Sequence, residues 1–332
     1  MNFDGPDLIK PWKVALEEHF AIPDTLGYPT PNLGKDSLRT LDGKLRDLRK
    51  QRIEEMDKTG VELSILSLKS PAIQAILDPK RAVEVARVAN DHIAEAISHR
   101  PDRFRSFAAL PMQDPDAACK ELTRCIKDLR FVGALINGYS QIGEEDTSFY
   151  LDMPQYRPFW AEVEKLNVPV YLHPRDPLPS QQKPYDRHPW LLGAAWAFGV
   201  ETATHALRLM CSGLFDEHPN LQIILGHLGE GLPFSIWRAE HRMVGIPAKK
   251  KISQYFCNNF WVTTSGNFHT QSLMNTILEM GSDHILYSVD YPFENMVEAD
   301  EWFKSVNIAS QDQVKIGRLN AQKLFHLEDR VS

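Results

Sequence analysis

Short apolar runs alternate with longer amphipathic segments along the whole chain. The first run is Val14–Leu16, and seven more follow, the last of them within His284–Pro292. Several are almost continuous in Val, Ile and Leu, which is typical of parallel strands covered by helices on both faces. In the segments between them apolar residues recur at helical spacing, as in the predicted helix from Asp78 to Ser98. The pattern predicts eight strands, each followed by helix.

Eight such units indicate one closed barrel, an α/β protein of the (β/α)8 or TIM type with additional C-terminal helices, and a single domain over residues 1–332. Helical spacing predicts one helix over Leu41–Thr59, ended by Gly60, and one or two helices between positions 190 and 219. An open, doubly wound sheet is the alternative fold. It would need a glycine-rich phosphate loop after the first strand, and the sequence VALEEHFAIP contains none. The predicted strands cover residues 14–20, 61–68, 106–111, 131–138, 168–174, 221–227, 260–266 and 284–292.

Charge and cysteine usage narrow the class of protein. The formal net charge of −7 argues against nucleic-acid and anionic-membrane binding, because neither surface would attract the chain. The four cysteines show no C-x-x-C spacing, so free thiols in a reducing compartment are expected. The polar N-terminus MNFDGPDLIKPW has no apolar signal core, and no segment reaches transmembrane length. A cytoplasmic protein is expected.

Polar side chains end four of the predicted strands. Glu17 and His19 end the first, His173 the fifth, His227 the sixth and Asp290 the eighth. In a barrel of this type the active site lies where the strands end, so these groups are expected to meet at one rim. A single histidine after a strand is usually structural, but four strand ends of this kind favour a site. Carboxylate and imidazole donors such as Glu17 and His19 can hold one divalent metal.

The order E-x-H, H, H, D resembles the metal-dependent amidohydrolase superfamily. The usual motif of the first strand there is H-x-H, and here Glu17 replaces the first histidine. That replacement matches the branch of non-oxidative aromatic acid decarboxylases. The strings KVALEEHFAIP, VPVYLHPRDP, LFDEHPNLQIILGHLGEGLP and ILYSVDYPFEN resemble the γ-resorcylate (2,6-dihydroxybenzoate) decarboxylases. Salicylate and 2,3-dihydroxybenzoate decarboxylases are close relatives.

The resemblance implies one divalent metal, Mn²⁺ or Zn²⁺, and no organic cofactor. Its ligands would be Glu17, His19, His173 and Asp290. Binuclear amidohydrolases use a lysine at the end of strand four, and FVGALING has none, so a single metal is expected. The family pattern also makes Asp290 the proton donor to the ring carbon. His227 and Glu230, three residues apart and predicted to begin a helix, are expected to pair and to act as a relay near Asp290.

Four more residues are candidates for binding the substrate: Arg238, Asn137, Phe198 and Phe293. Arg238 follows Glu230 by two helical turns, so it could reach that carboxylate or a substrate oxygen, and a structural ion pair is equally compatible. Asn137 could bind a ring hydroxyl or serve a turn, and the two phenylalanines could enclose the ring or simply pack. The loop from Ala21 to Asp36 is expected to shape the pocket.

The leading functional prediction is therefore the reversible decarboxylation of an ortho-hydroxybenzoate, with 2,6-dihydroxybenzoate first and 2,3-dihydroxybenzoate or salicylate as alternatives. A metal-dependent hydrolase of a lactone or amide is a second reading, because the superfamily is mostly hydrolytic. A non-catalytic scaffold is a third. The resemblance also implies a homotetramer built as a dimer of dimers.

Overall fold

Eight strands form one parallel sheet in which each strand pairs with the next one along the chain. The structure is a computed structural model that describes residues 12–25 and 35–327. The segment that follows the last strand also approaches the first strand, since the His19 N–H donates to the Tyr291 carbonyl oxygen at 2.6 Å. The predicted (β/α)8 barrel is confirmed, and the open sheet is excluded. The strands are β1 Lys13–Phe20, β2 Val61–Leu68, β3 Phe104–Ala109, β4 Gly133–Asn137, β5 Val170–His173, β6 Ile223–Leu225, β7 Phe260–Thr263 and β8 Ile285–Leu286.

Helices follow the strands and cover the outside of the barrel. No helix in the described part of the chain is long and apolar enough to cross a membrane. The sequence did not predict the helix at Ile252–Asn259. The helices are α1 Lys35–Arg46, α2 Gln51–Thr59, α3 Pro79–Ser98, α4 Pro115–Lys127, α5 Arg157–Leu166, α6 Ala197–Cys211, α7 Leu214–Glu217, α8 Leu232–Arg242, α9 Ile252–Asn259, α10 Thr270–Met280, α11 Met296–Ser305, α12 Ser310–Val314 and α13 Asn320–Leu324.

The single helix predicted over Leu41–Thr59 is wrong, because α1 and α2 are separate. Asp47 explains the break. Its carboxylate accepts the backbone N–H groups of Arg49 and Lys50, both at 3.0 Å, and that of Gln51 at 2.6 Å. An aspartate that binds the backbone after it stops one helix and caps the next. Gly60 ends α2 as expected, with a φ of 67°.

The barrel interior is apolar below the strand ends. Val14, Leu16, Leu63 and Ile65 pack there with inward side chains of the other strands and with Phe325 after α13. This packed layer excludes water from the lower part of the barrel. Polar side chains that lie beyond this layer, toward the carboxyl ends of the strands, therefore form the floor of a site.

Candidate active site and metal centre

A bulge in β1 turns its two predicted ligands into the barrel. Leu16 pairs with Ile65 and Glu18 pairs with Leu66, so Glu17 is an extra residue without a partner in β2. Simple alternation from the inward Leu16 would direct His19 outward. The bulge shifts the alternation by one residue, and His19 lies beside the inward Ser67. Glu17 has a φ of 74°, a left-handed conformation that costs a non-glycine residue roughly 1–2 kcal/mol.

The four predicted metal ligands converge at this end of the barrel. The donor atoms of Glu17, His19 and His173 all lie within 4.8 Å of one another, and the three residues are buried. Glu17 Oε1 is 3.3 Å from His173 Nε2. Asp290, which follows β8, brings Oδ1 to 3.1 Å from His19 Nε2. Residues from three distant parts of the chain thus meet at one point, as the sequence predicted.

The donor set fits a divalent metal. Glu17 Oε1, His19 Nε2 and Asp290 Oδ1 are buried and have no hydrogen-bond partner. Buried polar atoms are rarely left unpaired, so three of them at one point fit a site that binds a cation. The other ring nitrogens are held, because His19 Nδ1 lies 3.0 Å from Ser67 Oγ and His173 Nδ1 lies 2.9 Å from the Pro174 carbonyl oxygen. Both Nε2 atoms are therefore oriented as ligands, in a mixed oxygen and nitrogen set that suits Mn²⁺ or Zn²⁺.

Glu17 and the adjacent Glu18 have different electrostatic surroundings. Burial acts to raise the pKa of Glu17, but the imidazoles around it, His227 foremost, lower that pKa to about 2. Burial raises the pKa of Glu18 to about 8. The Glu18 carboxylate accepts the Val289 N–H at 3.0 Å, away from the cluster. Its exclusion from the predicted ligands agrees with this position.

His227 and Glu230 form the expected contact, with 2.7 Å between His227 Nδ1 and Glu230 Oε1. The expectation that they begin a helix is wrong, since α8 begins at Leu232. Residues 227–231 instead form a left-handed turn, with φ values of 52°, 57°, 84°, 55° and 76°. The turn aims His227 Nε2 at the cluster, 3.9 Å from Asp290 Oδ2 and 3.8 Å from Glu17 Oε1. Burial lowers the pKa of His227, but Glu230, Glu17 and Asp290 together raise that pKa well above its usual value.

Three of the four predicted substrate-binding residues lie around this cluster. Asn137 is buried, pairs in register with His173, and has no partner for its Oδ1 atom. The ring of Phe293 meets the ring of His19 edge-on, with 5.5 Å between their centroids. Phe198 lies in the first turn of α6, next to Gly199. A Cβ at Gly199 would lie 3.3 Å from Glu230 Oε2, so this end of α6 packs directly against the His227–Glu230 pair.

The predicted contact between Arg238 and Glu230 is wrong for the structure described. Arg238 is exposed on α8, and within residues 12–25 and 35–327 no ion pair joins it to Glu230. The helical spacing does not apply, because Glu230 belongs to the left-handed turn and not to the helix. A contact between Arg238 and a substrate oxygen stays a prediction. For the predicted pocket loop, Ala21–Asp36, residues 26–34 lie outside the described residues.

Sequence reasoning missed the hydroxyl groups behind Glu17. Tyr171 and Ser265 donate hydrogen bonds to Glu17 Oε2, and Thr263 Oγ1 lies 3.4 Å from the same oxygen. The available signals were the tyrosine two positions before His173 and the polar end of β7. Neither resembles a ligand motif, so neither was selected.

Comparisons with known proteins identify the family of this chain. The amidohydrolase family model matches residues 41–327. The chain is 58% identical to the γ-resorcylate decarboxylase of Rhizobium radiobacter over 324 residues, covering 96% of this chain and 99% of that protein.

Two solved structures are similar over nearly the whole chain. A 2,6-dihydroxybenzoate decarboxylase complexed with 2,6-dihydroxybenzoate is 58% identical with a TM-score of 0.94, covering 95% of this chain and 99% of that one. A dihydroxybenzoic acid decarboxylase from Polaromonas sp. JS666, with bound manganese and the inhibitor 2-nitroresorcinol, is 54% identical with a TM-score of 0.93, covering 95% and 97%. The chain therefore belongs to the amidohydrolase family and, within it, to the γ-resorcylate (2,6-dihydroxybenzoate) decarboxylases.

Proposed function

We propose that this chain catalyses the reversible, non-oxidative decarboxylation of 2,6-dihydroxybenzoate to resorcinol and CO₂. It is a carbon–carbon lyase that needs a divalent metal. The observation that carries the proposal is its likeness, over 95% of the chain, to a decarboxylase solved with 2,6-dihydroxybenzoate bound. The convergence of Glu17, His19, His173 and Asp290 supplies the site in which that reaction can occur.

The reaction has a clear physical requirement. Direct loss of CO₂ from the ring would leave a carbanion in the ring plane, where the π system cannot stabilise it. Protonation of the carboxyl-bearing carbon first avoids this, because the ionised ortho-oxygen supplies the electron pair and the ring becomes a dienone that can later take back the pair of the broken bond. The carbon–carbon bond can break afterwards, and its electron pair restores the aromatic ring.

Glu17, His19, His173 and Asp290 would hold the metal, and Mn²⁺ is the ion found in the Polaromonas relative. When bound, the metal would act as a Lewis acid that stabilises the ionised ortho-oxygen of the substrate and orients the substrate carboxylate. Asn137, Phe198 and Phe293 would place and enclose the ring. Arg238, which is exposed, remains a candidate for binding a substrate oxygen.

Asp290 is proposed as the acid that protonates the ring carbon. Its Oδ2 atom is on the side of His227, whose Nε2 lies 3.9 Å away. The proton that Asp290 delivers would come from the ortho-hydroxyl of the bound substrate, and one proton from solvent would return to that oxygen before neutral resorcinol leaves. The positive charge of His227 would lie beside Asp290 after the proton has been delivered. Glu230 would fix the orientation and tautomer of the His227 ring.

The test is incubation of the Mn²⁺-loaded protein with 2,6-dihydroxybenzoate, with resorcinol measured by chromatography. Parallel reactions with 2,3-dihydroxybenzoate and salicylate report the preferred hydroxyl pattern. We expect 2,6-dihydroxybenzoate to be converted faster than the other two acids. In a reaction treated with a chelator, we expect no resorcinol to form. No resorcinol from protein with verified metal occupancy would refute the proposal, and faster turnover of another acid would reassign the substrate.

We also propose that the chain forms a homotetramer, as the family resemblance implies. Large apolar side chains are exposed around α6 and α8, including Trp190, Trp196, Phe234 and Trp237. Exposed apolar clusters of this kind are typical of subunit contacts. Light scattering is expected to give four times the chain mass of 37.9 kDa, and a monomer in dilute solution would contradict the proposal. The cytoplasmic location expected from the sequence stays a prediction.

A further inference from the structure

Three hydroxyl groups surround one oxygen of Glu17. Tyr171 in β5 and Ser265 just after β7 donate to Oε2, and Thr263 at the end of β7 lies 3.4 Å from it. All four residues are fully buried. We call Tyr171, Thr263 and Ser265 the hydroxyl clamp.

The hydroxyl clamp is one connected network. Tyr171 OH lies 3.1 Å from Thr263 Oγ1, and Thr263 Oγ1 lies 2.8 Å from Ser265 Oγ. Each hydroxyl therefore restricts the orientation of the next. The other oxygen of Glu17, Oε1, is buried without a hydrogen-bond partner and faces His173 Nε2 at 3.3 Å. The two oxygens of this carboxylate have different surroundings, one saturated by hydroxyls and one open to the cluster.

Gly226 leaves the space that this arrangement needs. A Cβ at position 226 would lie 3.1 Å from both Glu17 Oε2 and Tyr171 OH. That separation is too short for an ordinary contact, so a larger residue would displace the carboxylate or the tyrosine. The backbone just after β6 therefore also restricts the position of the Glu17 carboxylate, in addition to the hydroxyl groups from β5 and β7.

We propose that the hydroxyl clamp positions Glu17 so that it offers a single oxygen, Oε1, to the divalent metal. A histidine at this position could present only one ring nitrogen to the metal, so no neighbouring residue would be needed to select the ligand atom. A carboxylate turns easily about its last torsion and can bind a metal through one oxygen or two. The clamp occupies the second oxygen and also supplies the donors that a buried anion requires. The hydroxyl clamp therefore accompanies Glu17, the residue that replaces the first histidine of the usual H-x-H motif. The inference rests on the metal site and not on the identity of the substrate.

The experiment measures the Mn²⁺ dissociation constant of metal-free, full-length variants by competition with a chelator. The variants Ser265→Ala, Tyr171→Phe and their combination remove donors to Oε2. Ser265→Thr keeps a hydroxyl, and Tyr287→Phe is the matched control, because Tyr287 is a buried tyrosine whose OH has no partner. Loss of residues that orient a ligand typically weakens metal binding about 10- to 100-fold, and we expect that range for the double variant. Ser265→Thr and Tyr287→Phe should bind within about twofold of the parent, by the same reasoning.

Thermal unfolding of each metal-free variant separates positioning from general damage. Parent-like Mn²⁺ affinity in both Ser265→Ala and Tyr171→Phe would overturn the inference, as would an equal loss in Tyr287→Phe. If the double variant does not fold, Ser265→Ala decides alone, since it deletes only one hydroxyl. The electron paramagnetic resonance spectrum of bound Mn²⁺ should change in the variants that free Oε2. Because affinity is the readout, a failure here would leave the proposed decarboxylation untouched, and a failed decarboxylation assay would not alter these constants.

Discussion

The change Glu230→Gln tests whether His227 acts through its carboxylate partner. Glu230 Oε1 lies 2.7 Å from His227 Nδ1, and the Glu230 side chain is only 4% exposed. A hydrogen bond to a charged group contributes about 1.5–3 kcal/mol, and one between neutral groups about 0.5–1.5 kcal/mol. Glutamine keeps the shape and an acceptor but loses the charge, so the expected loss is about 1–2 kcal/mol. At 1.36 kcal/mol for each factor of ten, kcat/KM should fall roughly 5- to 30-fold.

The assay is the initial rate of 2,6-dihydroxybenzoate loss by Mn²⁺-loaded protein, with the metal content of each sample measured. The matched control is Glu201→Gln on α6. Glu201 is also a buried glutamate, but it accepts the Tyr150 hydroxyl at 2.6 Å and not an imidazole. Activity of Glu230→Gln within twofold of the parent would refute the reasoning. An equal loss in Glu201→Gln, or a loss explained by missing metal, would refute it as well.

Three further changes probe other parts of the molecule. Asp290→Asn should keep the parent melting temperature and lower kcat by about 10²- to 10⁴-fold, and full activity would remove Asp290 as the proton donor. His173→Ala should lower the metal content found by elemental analysis, and parent-like occupancy would exclude His173 from the ligands. Burial, with Arg208 second, lowers the pKa of His205 to about 3. Its usual value is about 6.5, so stability is lost as the pH falls from about 6.5 toward 3, by about 2 kcal/mol between 6.5 and 5. His205→Gln should remove about one proton from that dependence in denaturant titrations, and an unchanged dependence would contradict this reading.

The order and number of strands could be predicted because burial leaves a direct trace in the sequence. A strand covered on both faces is apolar throughout, so each polar residue at its end stands out. Glu17, His173 and Asp290 were found in this way, and the structure brings them together. The same logic failed for the helix predicted over Leu41–Thr59, because one aspartate, Asp47, outweighed the helical spacing around it.

The left-handed turn at 227–231 shows a different limit. The glycines at 226, 229 and 231 indicate a turn after β6, but they do not show that His227 and Glu230 are left-handed as well. A glycine adopts positive φ without strain, whereas a histidine or glutamate does so at a cost. Packing of α6 at Gly199 and the contact between the two side chains hold them there. The packing at Gly199 comes from a distant part of the chain, so no local pattern contains it.

The site as a whole follows the same principle. Among the residues that the structure describes, ten other than glycine have a positive φ, and four of them are the predicted site residues Glu17, His227, Glu230 and Asp290. Such conformations persist only where the surroundings over-determine them, and they concentrate where function requires a particular direction. At Glu17 the bulge decides the outcome, because regular alternation from the inward Leu16 would have pointed both Glu17 and His19 outward, and the register change at Glu17 directs both into the barrel. The residue types that converge at the site were therefore readable from the sequence. The directions of their side chains depend on exceptions to the local rules, which only the folded chain can impose.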